Sequence, residues 1–195
     1  RSVSASLRFG RRSRPPRARL DTPHGFRARD SRKGRGVRAL GQTYMPAWGP
    51  PTIAPLLDAT RSIWERAGAN LRQLKTLDAA SIHLSNLDTG LAEVRANDAI
   101  HLDRDAQGRG WFIDPTPLSN SEYNSTDPTT GAAAAERGAA SRHYDLLTTL
   151  LHEQAHLLGL NHVEPSEDLM HGGLSIGIRK TPAKQHVQNP LKNEK

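Results

Sequence analysis

The 195-residue chain predicts a mixed α+β fold, on three observations. An amphipathic helical stretch opens at Pro55, short alternating segments follow between residues 81 and 113, and an apolar helical stretch occupies the region after Ser141. A helix, several strands and a second helix in that order imply a mixed sheet with helices packed on it.

The first helix is expected from Pro55 to Ala67. Leu56, Ala59, Ile63 and Ala67 share one face, Trp64 widens it, and Gly68 stops it. Strands are expected at Ser81–Leu84, Leu91–Val94, Ala99–Leu102 and Gly110–Ile113, separated by turn signals such as Asp88-Thr89-Gly90 and Gln107-Gly108. Residues 115–138, with Pro117, Pro128, Gly131 and a short alanine run, read as a long loop. Asp103-Arg104-Asp105-Ala106-Gln107-Gly108 has a slight likeness to a calcium loop but lacks the ligand series and terminal glutamate. A solvated turn is the expectation there, and calcium is a weakly supported second cofactor.

In the last helix, Ser141 is the expected N-cap and Asp145 places negative charge near the N-terminus. Leu146, Leu147, Leu150, Leu151, Ala155 and Leu158 form a broad apolar surface. Gly159 closes the helix, because glycine takes the left-handed conformation at low cost.

That helix carries the most specific pattern in the chain. His152-Glu153-Gln154-Ala155-His156-Leu157-Leu158-Gly159-Leu160-Asn161-His162 fills every fixed position of HExxHxxGxxH. Five fixed positions at roughly one in twenty each, over fewer than 195 start points, make a chance match on the order of one in ten thousand. With 3.6 residues per turn, His152 and His156 lie on one helix face, their Cα atoms roughly 6 Å apart along the axis. The turn at Gly159 lets His162 approach from another direction. Three nitrogen ligands leave the fourth position of a tetrahedral zinc open, as a catalytic site requires. Glu153 sits about 100° round the helix from His152, where its carboxylate faces a metal-bound water and acts as the expected general base.

These residues resemble a metzincin, the zinc peptidase clan with the long histidine motif and a methionine turn. Met170, eight residues beyond His162 in Glu167-Asp168-Leu169-Met170-His171, stands where the resemblance implies that turn, as a structural floor to the site. Gly110-Trp111-Phe112-Ile113-Asp114-Pro115-Thr116-Pro117 followed by Glu122-Tyr123, and a zinc helix opening Asp145-Leu146-Leu147-Thr148, are similar to bacterial matrixin-like domains over residues 99–182. The resemblance implies a metzincin-like catalytic domain with a twisted mixed sheet, one catalytic zinc ion, peptide or protein substrates and a secreted enzyme. It also implies that Gly110, Trp111, Phe112 and Ile113 form a sheet edge along which an extended substrate adds as a strand. His171 stands where several metzincins have tyrosine, so no tyrosine role carries over, and His171 is read as a supporting or surface residue. Glycines at 172, 173 and 177 with Pro182 and Pro190 imply that the clan's long C-terminal helix is short or missing.

Composition divides the chain. Residues 1–38 hold thirteen Arg or Lys against Asp21 and Asp30, a net +11, which leaves −4 of the total +7 for the remainder. Residues 1–50 are therefore expected to be a basic disordered segment, 51–182 the folded domain, and 183–195 a polar tail. The arm has no aromatic interleaving, so it reads as a solvated extension and not as a nucleic-acid module. Starting at Arg1, the chain reads as processed or as a fragment. With no cysteine there is no disulfide and no cysteine–zinc latch, and no run of apolar residues is long enough to span a membrane. A monomer is expected. Two alternatives to an endopeptidase stand beside it: a noncatalytic zinc-binding relic that holds peptides, and a basic-arm adaptor for nucleic acid or an acidic surface.

Overall fold

In the computed structural model residues 25–28, 50–127 and 130–188 are described, and they build an α+β fold with mixed sheets. In chain order the elements are β1 (Gly25–Ala28), α1 (Pro50–Ala67), α2 (Leu71–Asp78), β2 (Ser81–Ser85), β3 (Ala92–Arg95), β4 (Ala99–Asp103) and β5 (Trp111–Phe112). They continue with β6 (Ser125–Thr126), β7 (Ala133–Ala134), β8 (Tyr144–Asp145), α3 (Leu146–Leu157), β9 (Gly173–Leu174), β10 (Ile178–Arg179) and α4 (Gln185–Gln188).

The principal sheet runs β2-β4-β3-β1-β9. Its strands follow the period-two rule: Ile82 and Val94 flank Ile100, and Leu84 and Ala92 flank Leu102, so one apolar row faces inward. Ile100 and Leu102 are completely buried. On the alternate positions His83 and His101 stack on each other, ring centroids 5.1 Å apart. Helix α3 packs on β3 and β1, and α1 and α2 pack on α3. The core is therefore the space between the sheet and α3, filled by Trp64, Leu91, Leu146, Leu147 and Leu151.

Several expectations are corrected. Helix α1 begins at Pro50 and not at Pro55. Pro55 lies inside it, where its missing N–H forfeits one helical bond near the N-terminus instead of starting the helix. Helix α2 has no counterpart in the sequence reading, although its signal is present: Asn70 accepts from the Gln73 N–H at 3.0 Å while the Gln73 side chain accepts from the Asn70 N–H at 2.9 Å. The loop expected over 115–138 contains β6 and β7, because Ala133 and Ala134 pair with both Ser125–Thr126 and Ile178–Arg179. The turn at 103–108 is held by the Asp103 carboxylate, which accepts from the N–H groups of Leu87 at 2.9 Å and Gln107 at 2.8 Å. Both Asp103 oxygens are thus engaged by backbone donors, one from the turn itself and one from Leu87 across the sheet end, as a hydrogen-bonded corner.

Two short elements lie outside the span 51–182. Strand β1 lies in the segment expected to be a separate arm, yet it sits between β3 and β9, with Gly25 opposite Glu93 and Arg27 opposite Gly173. At the other end α4 lies in the expected polar tail and buries His186. The remainder of residues 1–49 and 189–195 is outside the described residues. Among the described residues no helix is long and apolar enough to cross a membrane.

Deleting residues 1–28 would leave the facing edges of β3 and β9 unpaired. Amide hydrogen exchange at Ala92, Glu93, Gly173 and Leu174 is expected to accelerate by about tenfold or more while the β2–β4 pair keeps its protection. Equal protection in both chains would mean that β1 adds nothing to the sheet.

Candidate metal centre

Helix α3 begins one turn later than Ser141 implies. Asp145 is the N-cap, its Oδ2 accepting from the Thr148 N–H at 3.1 Å and from the Thr148 hydroxyl at 2.6 Å. Ser141 instead donates to the Gly138 carbonyl. From Leu146 to Ala155 every residue is buried, so this helix is a rod inside the core and its polar side chains are held on all sides. Gly159 ends it at φ +90°, with its N–H on the His156 carbonyl at 2.9 Å and the Leu160 N–H on the Ala155 carbonyl at 3.0 Å, the paired bonds of a Schellman turn.

The turn sends the chain back to the histidines. The Val163 N–H donates to the Met170 carbonyl at 3.0 Å and Val163 forms a bridge with His171, which lays residues 162–163 beside the methionine turn. Gly172 lies against the His162 ring, where an added Cβ would stand 3.4 Å from Nδ1. His152 is buried, His156 half-buried and His162 exposed, and their Nε2 atoms form a nearly equilateral triangle with sides of 3.1, 3.1 and 3.2 Å.

The protons of two of these rings are assigned by their neighbours. His152 Nδ1 lies 2.7 Å from the Leu169 carbonyl and His156 Nδ1 2.8 Å from the Leu160 carbonyl; a carbonyl only accepts, so each Nδ1 carries the proton. Burial pushes the His152 pKa well below its ordinary value, and neighbouring His156 adds to the shift, so this ring is neutral as a metal ligand must be. Nε2 lone pairs 3.1 Å apart repel each other, and a shared cation removes that repulsion. Nitrogens placed at 2.0–2.1 Å on a tetrahedral zinc are about 3.3 Å apart. The triangle fits such an ion in both size and donor chemistry. The three histidines can hold a metal ion.

Glu153 is completely buried next to His152 on α3. Gln154 ties the same turn to α1: its Oε1 accepts from the Trp64 indole at 2.9 Å and its amide donates to Thr60 at 3.1 Å. Met170 is buried in the main apolar cluster, adjacent to the Leu169 carbonyl that receives the His152 proton. His171 is not part of the trio; its Nδ1 faces Gly173, 3.0 Å from the carbonyl. The Gly110–Ile113 segment forms only the two-residue strand β5, paired in parallel with β8 and outside the principal sheet, whose edges are β2 and β9. Trp111 and Phe112 are buried, and a cleft of about 790 Å³ runs along this segment between Pro55, Ala139, Arg142 and His143.

A buried charge network beside α3 had no signal in the spacing of the sequence. Arg179 contacts Asp145 through Nε at 3.0 Å and Nη2 at 2.9 Å, and Asp114 through Nη1 at 2.7 Å. The Tyr123 ring lies under its guanidinium, 4.6 Å from the centroid. Burial, followed by the Asp145 carboxylate, raises the Tyr123 pKa and keeps the phenol neutral. An arginine far along the sequence from both of its aspartates carries no periodicity, so only the fold reveals the network.

Asp168 organises the methionine turn, accepting from the Met170 N–H at 2.7 Å and pairing with His186 at 2.9 Å. Burial alone would raise its pKa, but the Met170 N–H and His186 outweigh burial and hold it below the ordinary value. A depressed carboxyl stabilises the fold above its unfolded pKa, and that contribution is lost as pH falls through the folded value. Asp168→Asn is therefore expected to lower the urea midpoint at neutral pH and to converge with the native chain in strong acid. Parallel curves across that range would contradict the assignment.

Compared with known proteins, the chain matches no family model, no curated protein and no solved structure, and the candidate metal centre rests on its own geometry.

Proposed function

We propose that this protein is a zinc-dependent endopeptidase of metzincin type. The observation that supports this reading best is the Nε2 triangle of His152, His156 and His162 with Glu153 buried beside its first member. Zinc held there supplies Lewis acidity, which polarises a peptide carbonyl and brings a water toward neutral pKa. Glu153 takes the proton from the attacking water and passes it to the leaving amine. The Leu169 and Leu160 carbonyls keep His152 and His156 in the Nδ1-protonated form, which presents Nε2 to the ion and fixes ring orientation. Met170 supplies apolar packing behind that turn and no chemistry.

An extended peptide is proposed to lie along β5, where Trp111, Phe112 and Ile113 line a cleft whose walls do not include the three histidines. A metal ligand set alone has no need of a carboxylate beside its first histidine, which favours an enzyme over a zinc-holding relic. With a broad peptide library, cleavage is expected with zinc present, is expected to stop when a chelator strips the metal, and is expected to return on zinc addition. Zinc binding with no cleavage of any peptide would favour the relic, and no zinc binding would sink both.

A further inference from the structure

We propose that Lys180 is a positioning residue for the metal centre, bracing the loop that orients His152. The inference rests on the metal-binding part of the proposed function and not on proteolysis. Lys180 is buried, and its Nζ donates to the Ser166 carbonyl at 2.6 Å and to the Asp168 carbonyl at 3.1 Å. The next carbonyl in that row, Leu169, accepts the His152 Nδ1 proton at 2.7 Å. One ammonium therefore holds the two carbonyls on which the orientation of the third depends.

The backbone of Lys180 is anchored to the same helix. Its N–H donates to the Thr148 hydroxyl at 2.9 Å, and that hydroxyl donates to the N-cap carboxylate of Asp145 at 2.6 Å. Arg179, one residue earlier, grips Asp145 and Asp114. Arg179 secures the start of α3, and Lys180 reaches past the helix to the methionine turn. The dipeptide couples the two segments that must keep register for His152 Nδ1 to meet Leu169. Partners of metal-bound histidines typically carry 10–100-fold in metal affinity, since a ligand free to rotate loses both its tautomer and its aim.

The test is zinc affinity of the full chain, read by competition with a chromophoric chelator, together with the visible spectrum of the cobalt-loaded protein. Lys180→Met is expected to weaken zinc binding by about 10–100-fold and to alter the cobalt bands. Leu74→Ala, which opens a cavity in α2, a different element from the loop, serves as the comparison and is expected to lower the melting temperature while leaving affinity and spectrum unchanged. Lys180→Gln keeps one donor for the carbonyls and is expected to show a smaller loss in the same direction, so the outcome does not depend on the methionine variant folding. Affinity and spectrum of the Lys180 variants equal to native, or altered no more than in Leu74→Ala, would overturn the brace. A native chain that binds no zinc would overturn the metal centre itself, a distinguishable result.

Discussion

Glu153→Gln is expected to cut peptide cleavage by about 10²–10⁴-fold while bound zinc stays at the native level. The substitution keeps the shape of a side chain that is completely buried, so it removes the proton acceptor without opening a cavity. His152 and His156 keep their carbonyl partners, all three histidines keep their mutual spacing, and the zinc affinity should not move. Measuring bound metal and turnover on the same sample separates the two effects. Native turnover in the variant would remove Glu153 from the mechanism, and loss of zinc together with turnover would make its role structural.

Arg179→Met, which removes the β10 cation paired with the N-cap of α3, is expected to be strongly destabilising. Arg179 is the shared partner of Asp114 and Asp145, and all three side chains are within 2 % of fully buried, so water cannot replace the guanidinium. Removing one partner of a buried ion pair costs about 3–5 kcal/mol. For a chain of this size that corresponds to a drop of roughly 6–20 °C in melting temperature. Combining Arg179→Met with Asp114→Asn and Asp145→Asn should recover most of the loss, because no unpaired charge remains and asparagine still caps a helix. A shift of less than about 1 kcal/mol in the single variant, the range of an exposed pair, would show that the network is solvated.

The parts of the site that were legible in the sequence are those written within one helical segment and its closing turn. His152 and His156 share a face because the helix repeats every 3.6 residues, and Gly159 closes the helix because it alone takes φ +90° without strain. The strands at residues 81–85, 92–95 and 99–103 were legible for the same reason, since alternation is a property of each strand by itself. The N-cap was misplaced at Ser141 because both Ser141 and Asp145 have capping side chains, and only the pairing of β8 with β5 decides that the chain is still extended at Tyr144–Asp145. β1 was hidden by its composition: a basic stretch reads as solvated until β3 and β9 are seen to present two open edges to it.

The amino-acid order alone thus determined the ligand candidates, their facing on α3 and the carboxylate beside them, since contiguous spacing follows directly from backbone geometry. Packing determined the rest: which carbonyls take the imidazole protons, where His162 returns, and how Arg179 and Lys180 tie α3 to the methionine turn. Apart from His156 and Leu160, which are four positions apart, those contacts join residues 10 to 34 positions apart, and no local period specifies them. They exist because a buried donor or carboxylate is costly until it finds a partner, and only the assembled core brings the partners within reach.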